Sequence, residues 1–288
     1  MDYKTKFSSV KKLYPHYRKI MEKKGPISIT IYPTNACNLN CSFCVNSERD
    51  KKEKLTIDYI FEVLSLFPTI KTVEISGGGE PTTWKDLPRL ITMLHIQNYE
   101  IGLVTNGFNL NLLKDVWNRI SWIRISLNGF IDVGQTINWT DLGEGPTIGT
   151  SYVISENRYY MNKLRVLMYK YPKIEYCRLT HDIMKYPKEN YYEDMGDNIY
   201  IFDRRWDNLL GYCYIGSIKP LLAADGRLYQ CCLLCNQGRE YSKDKALTPD
   251  KILEYESFEC NMPYCTMNEK NEFIADAMKH DDPHINFV

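Results

Sequence analysis

The chain has 288 residues, 44% hydrophobic and 25% charged, which suits a globular protein able to bury a core. Its 36 basic residues balance 36 acidic ones, so no global field steers it toward nucleic acid or acidic lipid. No stretch approaches the roughly 18 apolar residues of a membrane span. The first residues, MDYKTKFSSVKKLY, lack an apolar core of signal-peptide length, so a cytoplasmic protein without a membrane partner is expected.

Residues 8–23 have the pattern of a basic amphipathic helix, weakened in its middle by Pro15, and 1–26 reads as a helical extension. "ISITIYP" (27–33) predicts a buried strand that runs directly into a cysteine-bearing loop. "TIDYIFEVLSLF" (56–67) has apolar residues at helical spacing behind a capping Thr56. "KTVEIS" (71–76) predicts a strand, followed by the loop "GGGEPT" and a helix over 86–97 with Pro88 in its first turn. "YEIGLVT" (99–105) predicts a third strand ending in an Asn106–Gly107 turn, "LNLLKDVWNRI" a helix, and "SWIRISL" (121–127) a fourth strand. Residues 128–148 are polar and weakly periodic. A strand over 149–154, a helix over 157–171 and a sixth strand over 174–179 follow.

Strands alternating with helices imply parallel βαβ units. Six units predict an α/β fold with an open, partial (β/α)6 parallel barrel over 27–182. In parallel barrels, functional residues sit on loops at the strand C-termini, which places both the cysteine loop and "GGGEPT" on one face. Residues 183–212, rich in Tyr, Asp and Asn, read as irregular connecting structure, and 213–288 as a small cysteine-rich C-terminal domain. So small a module usually needs a metal or cross-links.

Ten cysteines in a chain of this size, without a secretion signal, point to metal or redox chemistry rather than disulfides. Cys37, Cys41 and Cys44 form CxxxCxxC, with Phe43 before the third cysteine and no fourth Cys or His nearby. Thiolates suit zinc or iron–sulfur clusters, and a closed zinc site needs four ligands. Three thiolates on a four-iron cubane leave one iron open to another ligand.

With this motif after the first strand, the chain resembles the radical S-adenosylmethionine superfamily over roughly 27–180. Gly78, Gly79 and Glu80 look like that family's GGE motif, which contacts the amino group of the methionine moiety. Ser126 and Asn128, at the end of the fourth strand, match the place where the family holds the ribose, although many relatives carry Asp at Asn128. "GTSYVISEN" (149–157), with Val153, resembles the segment that touches the adenine. The resemblance implies a [4Fe–4S] cluster on Cys37, Cys41 and Cys44, bound S-adenosylmethionine, and a 5′-deoxyadenosyl radical that removes a substrate hydrogen atom. An electron donor such as flavodoxin or ferredoxin is implied with it.

Farther on, Cys213-x12-Gly226-x4-Cys231 predicts a hairpin with its turn at Asp225–Gly226, and Cys260-x4-Cys265 adds two more thiols. Four thiolates also suit a zinc ribbon. The pattern resembles the auxiliary-cluster modules called twitch and SPASM domains. This implies a second [4Fe–4S] cluster on Cys213, Cys231, Cys260 and Cys265, with Cys232 or Cys235 able to replace one ligand. Net oxidation of a small substrate such as a sugar, aminocyclitol or nucleotide is the expected reaction. Epimerisation, peptide crosslinking or a non-catalytic metal-binding role are the alternatives. Cys177 reads as a buried apolar residue or, more sharply, as a hydrogen-atom donor, and His181 as a structural polar residue or a base. Asp182, Glu193, Asp194, Asp203, Arg204 and Arg205 are candidate substrate contacts or ordinary solvated charges.

Overall fold

The computed structural model describes residues 22–137, 144–154, 159–182, 191–203, 211–235, 241–260 and 267–278, with Leu13, His16, Lys19, Ile20 and Cys265. Most of the predicted helix over 8–23 lies outside these residues, as do Arg204 and Arg205. Six strands follow one another in space as in sequence: β1 (Ser28–Ile31), β2 (Thr72–Ile75), β3 (Glu100–Thr105), β4 (Trp122–Ser126), β5 (Thr147–Val153) and β6 (Ile174–Thr180). Every neighbouring pair among them is parallel. Among the described residues the longer helices between them are α1 (Ile57–Ser65), α2 (Leu87–Ile96) and, between β5 and β6, one over Tyr160–Lys170. A mixed α/β fold with a parallel sheet fits the expected partial barrel.

The strands alternate as the period of two demands. Ile29 and Ile31, Val73 and Ile75, and Ile123 and Ile125 are buried, whereas the residues between them, including Thr30, Glu74 and Arg124, are half-buried. Helix α1 starts where Thr56 accepts a hydrogen bond from the Tyr59 N–H at 3.2 Å, and it buries Ile57, Ile60, Val63 and Leu64.

The helix predicted over 110–120 is instead two tight 3-10 turns, Leu110–Leu113 and Trp117–Arg119. Leu110, Leu113 and Val116 are buried and recur every third residue, the period of the tighter helix rather than 3.6. The segment 128–148 begins with a short helix, α3 (Asn128–Asp132), so the Tyr160–Lys170 helix is α4. The connecting segment contains two strands in place of wholly irregular structure: β7 (Tyr191–Asp194) and β8 (Ile199–Asp203). Gly196, Asp197 and Asn198 turn between them with positive φ, which these residue types tolerate. β8 then lies parallel to β6 and extends the sheet.

The predicted hairpin is present as β10 (Leu221–Leu222) and β11 (Leu228–Tyr229), following β9 (Tyr212–Cys213) and the short helix α5 (Ile215–Ile218). Gly226, at φ +81, makes its turn. β10 pairs in parallel with β1, Thr30 opposite Leu221, and β11 carries β12 (Ala246–Leu247) on its other side. The hairpin therefore continues the β1–β6 sheet, which among the described residues reaches eleven strands in the order β12-β11-β10-β1-β2-β3-β4-β5-β6-β8-β7. β9 pairs separately with β13 (Phe258–Glu259) in a ribbon. The short helices α6 (Cys232–Cys235) and α7 (Pro249–Leu253) and the terminal α8 (Asn268–Ala277) complete the region. Among the described residues no helix is long and apolar enough to cross a membrane.

Candidate active site

The cysteine loop leaves β1 and is closed at its base by a bridge between Thr34 and Lys54. The Asn35 N–H bonds the Glu53 carbonyl at 3.0 Å, and the Leu55 N–H bonds Pro33 at 2.9 Å. Within the loop Cys37, Cys41 and Cys44 are half-buried. Burial pushes the Cys37 thiol up, and it pushes Cys41 to about 11, with the neighbouring Cys44, Cys37 and Asp132 adding to the effect. Cys37 and Cys41, raised in this way, need a cation nearby to become thiolates. Two of the three sulfurs already meet donors: the Leu39 N–H lies 3.4 Å from Cys37 Sγ, and Arg49 Nη1 lies 3.6 Å from Cys44 Sγ.

The loop after β2 presses on this one. The Gly79 N–H donates to Thr34 O at 2.9 Å and the Glu80 N–H to Ala36 O at 2.8 Å. A Cβ on Gly78 would sit 2.1 Å from Asn35 Oδ1, and one on Gly79 2.0 Å from Ala36 O. The glycines thus let the two loops touch. Glu80 is 3% exposed and turned inward. Its Oε1 accepts from the Thr82 N–H at 2.9 Å, the Thr82 hydroxyl at 2.7 Å and the Thr105 hydroxyl, and its Oε2 from the Asn106 N–H at 2.6 Å. Burial lifts this carboxyl's pKa, and the four donors work against that. Glu80 therefore braces the end of β3 against the cysteine loop, leaving acceptor capacity on Oε2.

An amide network that the sequence reading missed joins the rim. Asn106 Nδ2 donates to Asn38 Oδ1 at 2.9 Å, Asn38 Nδ2 to Gln135 Oε1 at 2.8 Å, and Gln135 Nε2 to Asn106 O at 2.8 Å. No local pattern marks such residues, because the three come from separate loops.

Asn128 pairs with Val153 as one peptide pairs with another. Its Nδ2 donates to Val153 O at 2.8 Å, and its Oδ1 accepts the Val153 N–H at 3.0 Å. The same Nδ2 reaches Asp132 Oδ2 at 2.9 Å. A carboxylate could not donate to either oxygen, which explains why Asn stands here. Ser126 lies opposite Ser151, which lies opposite Arg178, a polar row across β4, β5 and β6 on one sheet face. Arg178 was also missed, although it alternates with the apolar Cys177 and Leu179, whereas Ser151 lies within the segment 149–157 already likened to the adenine side. His181 and Asp182 directly follow β6, beside the rim. Cys177 lies within β6, fully buried opposite Thr150, and burial pushes its thiol to about 12. Its face alternates with that of Arg178, so it does not join the polar row.

The second cysteine group is assembled from distant pieces. Cys213 opposes Phe258 in the β9–β13 ribbon, so Cys260, two residues on, faces the same side. Asn271 of α8 clamps the ribbon, accepting the Tyr214 N–H and donating to Tyr212 O, both at 2.7 Å. Cys265 precedes α8, its sulfur 3.3 Å from the Met267 N–H. Burial pushes Cys213 to about 12, and Cys265 and Cys260 contribute. Gln230 donates to Cys213 O at 2.8 Å, and burial raises the Cys265 thiol, with Cys260 and Cys232 adding to the effect. Cys232 and Cys235 open and close α6, Cys235 buried with Tyr32, Tyr229 and Tyr241. The Tyr241 hydroxyl donates to Asn35 Oδ1 in the first cysteine loop.

Among the described residues no three His, Cys, Asp or Glu side chains surround one metal ion. A cubane spreads its thiolates over separate irons, and three thiols on one loop, two already meeting donors, fit that demand.

Residues 31–138 match the family model of the radical SAM superfamily. A probable GTP 3′,8-cyclase of Sulfolobus acidocaldarius is 36% identical over 91 residues, 30% of this chain and 28% of that protein. An S-adenosylmethionine-dependent nucleotide dehydratase of Lacinutrix mariniflava is 28% identical over 42% of this chain and 29% of its own length. A 7-carboxy-7-deazaguanine synthase of Bacteroides thetaiotaomicron is 30% identical over 35% of this chain and 51% of its own length. The chain thus spans between about a quarter and a half of these relatives. In fold it is similar to SuiB of Streptococcus suis solved with its precursor peptide SuiA, at a TM-score of 0.54 and 15% identity over 84% of this chain and 69% of that one. Residues 31–138 thus carry the similarity to the radical SAM superfamily, and the likeness to SuiB is one of fold.

Proposed function

We propose that the chain is a radical SAM oxidoreductase acting on a small substrate. The observation that carries this reading is the contact of the Cys37–Cys44 loop with the Gly77–Glu80 loop at the C-terminal ends of β1 and β2. When bound, a [4Fe–4S] cluster and S-adenosylmethionine supply a 5′-deoxyadenosyl radical able to take hydrogen from an unactivated carbon. Cys37, Cys41 and Cys44 would hold the cluster. The free acceptor capacity of Glu80, with the Gly78–Gly79 backbone, suits the methionine ammonium. Ser126 would face the ribose, Asn128 would hold the end of β5, and Val153 would line the adenine side.

Cys213, Cys231, Cys260 and Cys265 would hold an auxiliary [4Fe–4S] cluster as a closed electron acceptor, in a twitch-like domain over 213–288, with the barrel over 27–182. Of a sugar, an aminocyclitol and a nucleotide, the nucleotide gains weight from relatives named as a GTP 3′,8-cyclase and a nucleotide dehydratase. His181 and Asp182, at the rim, are proposed substrate contacts, and a flavodoxin or ferredoxin the electron donor. Anaerobic reconstitution tests the reading: two cubanes load about eight irons per chain, and dithionite with S-adenosylmethionine releases 5′-deoxyadenosine in the presence of substrate. Bound zinc with no iron–sulfur absorbance would sink it.

A further inference from the structure

We propose that Arg49 is a positioning residue that sets the reduction potential of the first cluster, an inference that rests on the radical SAM reading above. Arg49 is 7% exposed and spans the cysteine loop from end to end. Its Nε donates to the Asn35 carbonyl at 2.8 Å, just before Cys37. Its Nη1 donates to the Asn46 carbonyl, just after Cys44, and lies 3.6 Å from Cys44 Sγ. Asn35 is itself fixed by Glu53 and Tyr241, so the guanidinium cannot swing away without opening the loop.

A guanidinium stays charged at any working pH, and its rigid fork can bond two carbonyls while facing a sulfur. Burial reduces the screening of that charge. Each electron added to a thiolate-bound cluster makes it more negative. A fixed cation with an N–H directed at one sulfur therefore favours the reduced form and raises the potential. An enzyme of this class must load one electron before it can cleave S-adenosylmethionine, so Arg49 would ease that loading. The donor is external, dithionite in the test below.

The test uses full-length protein reconstituted anaerobically, with the potential followed through the EPR signal that S-adenosylmethionine perturbs. That signal separates the first cluster from any auxiliary one. Arg49→Gln should keep its iron and show about a tenfold lower ratio of reduced to oxidised cluster at a given poise, about 59 mV for one electron. Arg49→Lys, which keeps the charge without the fork, should fall between. An unchanged midpoint in Arg49→Gln overturns the proposal, as does an equal shift in both variants. Folded variants that take up no iron at this site also overturn it, leaving Arg49 as a loop staple only. If the parent protein gives no signal responsive to S-adenosylmethionine, the radical SAM reading itself falls, an outcome distinct from the others.

Discussion

The two cysteine groups are built in opposite ways. Cys37, Cys41 and Cys44 lie on one loop whose base is closed by hydrogen bonds among its own residues, and their thiols stay half-buried. Cys213, Cys260 and Cys265 come from a ribbon and the start of a helix, and Cys213 is buried. The first group is a local device, near a surface where another molecule can reach it. The second exists only once β9, β13 and α8 have met, so a metal bound there would be coupled more tightly to folding. In the proposed reading, the three thiols of the first group would serve activation and the four of the second electron storage.

The largest expected effect separates these tasks. Cys41→Ala should abolish 5′-deoxyadenosine formation, whereas Cys213→Ala should remove roughly half the iron yet leave a first cluster that responds to S-adenosylmethionine. Equal losses of iron and activity in both variants would break the comparison. Next in size, Asn128→Asp should cost about 1–3 kcal/mol in urea unfolding, because it sets a carboxylate against Val153 O and Asp132. A variant as stable as the parent would show that the rim does not depend on that amide.

The link between the two regions can be probed by pH. Lys219, just before β10, pairs with Glu74 of β2 at 2.9 Å. Burial pushes the Glu74 carboxyl up, but Lys219 and Arg124 outweigh it and hold the pKa below the usual glutamate value. A folded pKa below the unfolded one gives stability that is present above the unfolded pKa and lost as pH falls through the folded one. Glu74→Gln should therefore cost about 1–2 kcal/mol at neutral pH, between the surface and buried ion-pair regimes. It should also flatten the acid limb of a stability–pH curve. The smallest effect is expected from Tyr241→Phe, about 0.5–1.5 kcal/mol for one hydrogen bond, with the iron content of the first loop unchanged. Loss of iron there would show that the second region helps to shape the first site.

What the sequence made legible was what depends on short spacing. The strand alternation of Ser28–Ile31, the Thr56 cap, the CxxxCxxC loop and the Gly226 turn each follow from a few adjacent residues, and each is present. The 3-10 turns over 110–120 were hidden because Leu113, Val116, Trp117 and Ile120 satisfy both a period of three and one near 3.6. β7 and β8 were masked by polar, aromatic composition, although Gly196–Asp197–Asn198 was a turn signal. Arg49, the Asn38–Asn106–Gln135 network and the pairing of Asn128 with Val153 depend on contacts between separate loops.

The pairing of β1 with β10 has a consequence for the birth of the molecule. Thr30 and Leu221 meet across most of the chain, so on the ribosome β1 and its cysteine loop emerge long before the strand that covers their outer side. Contacts of such long sequence separation form slowly, and until then β1 is an open edge able to pair with another chain. A chain truncated before Pro220 would retain residues 31–138, which match the radical SAM family model, and still expose that edge to aggregation.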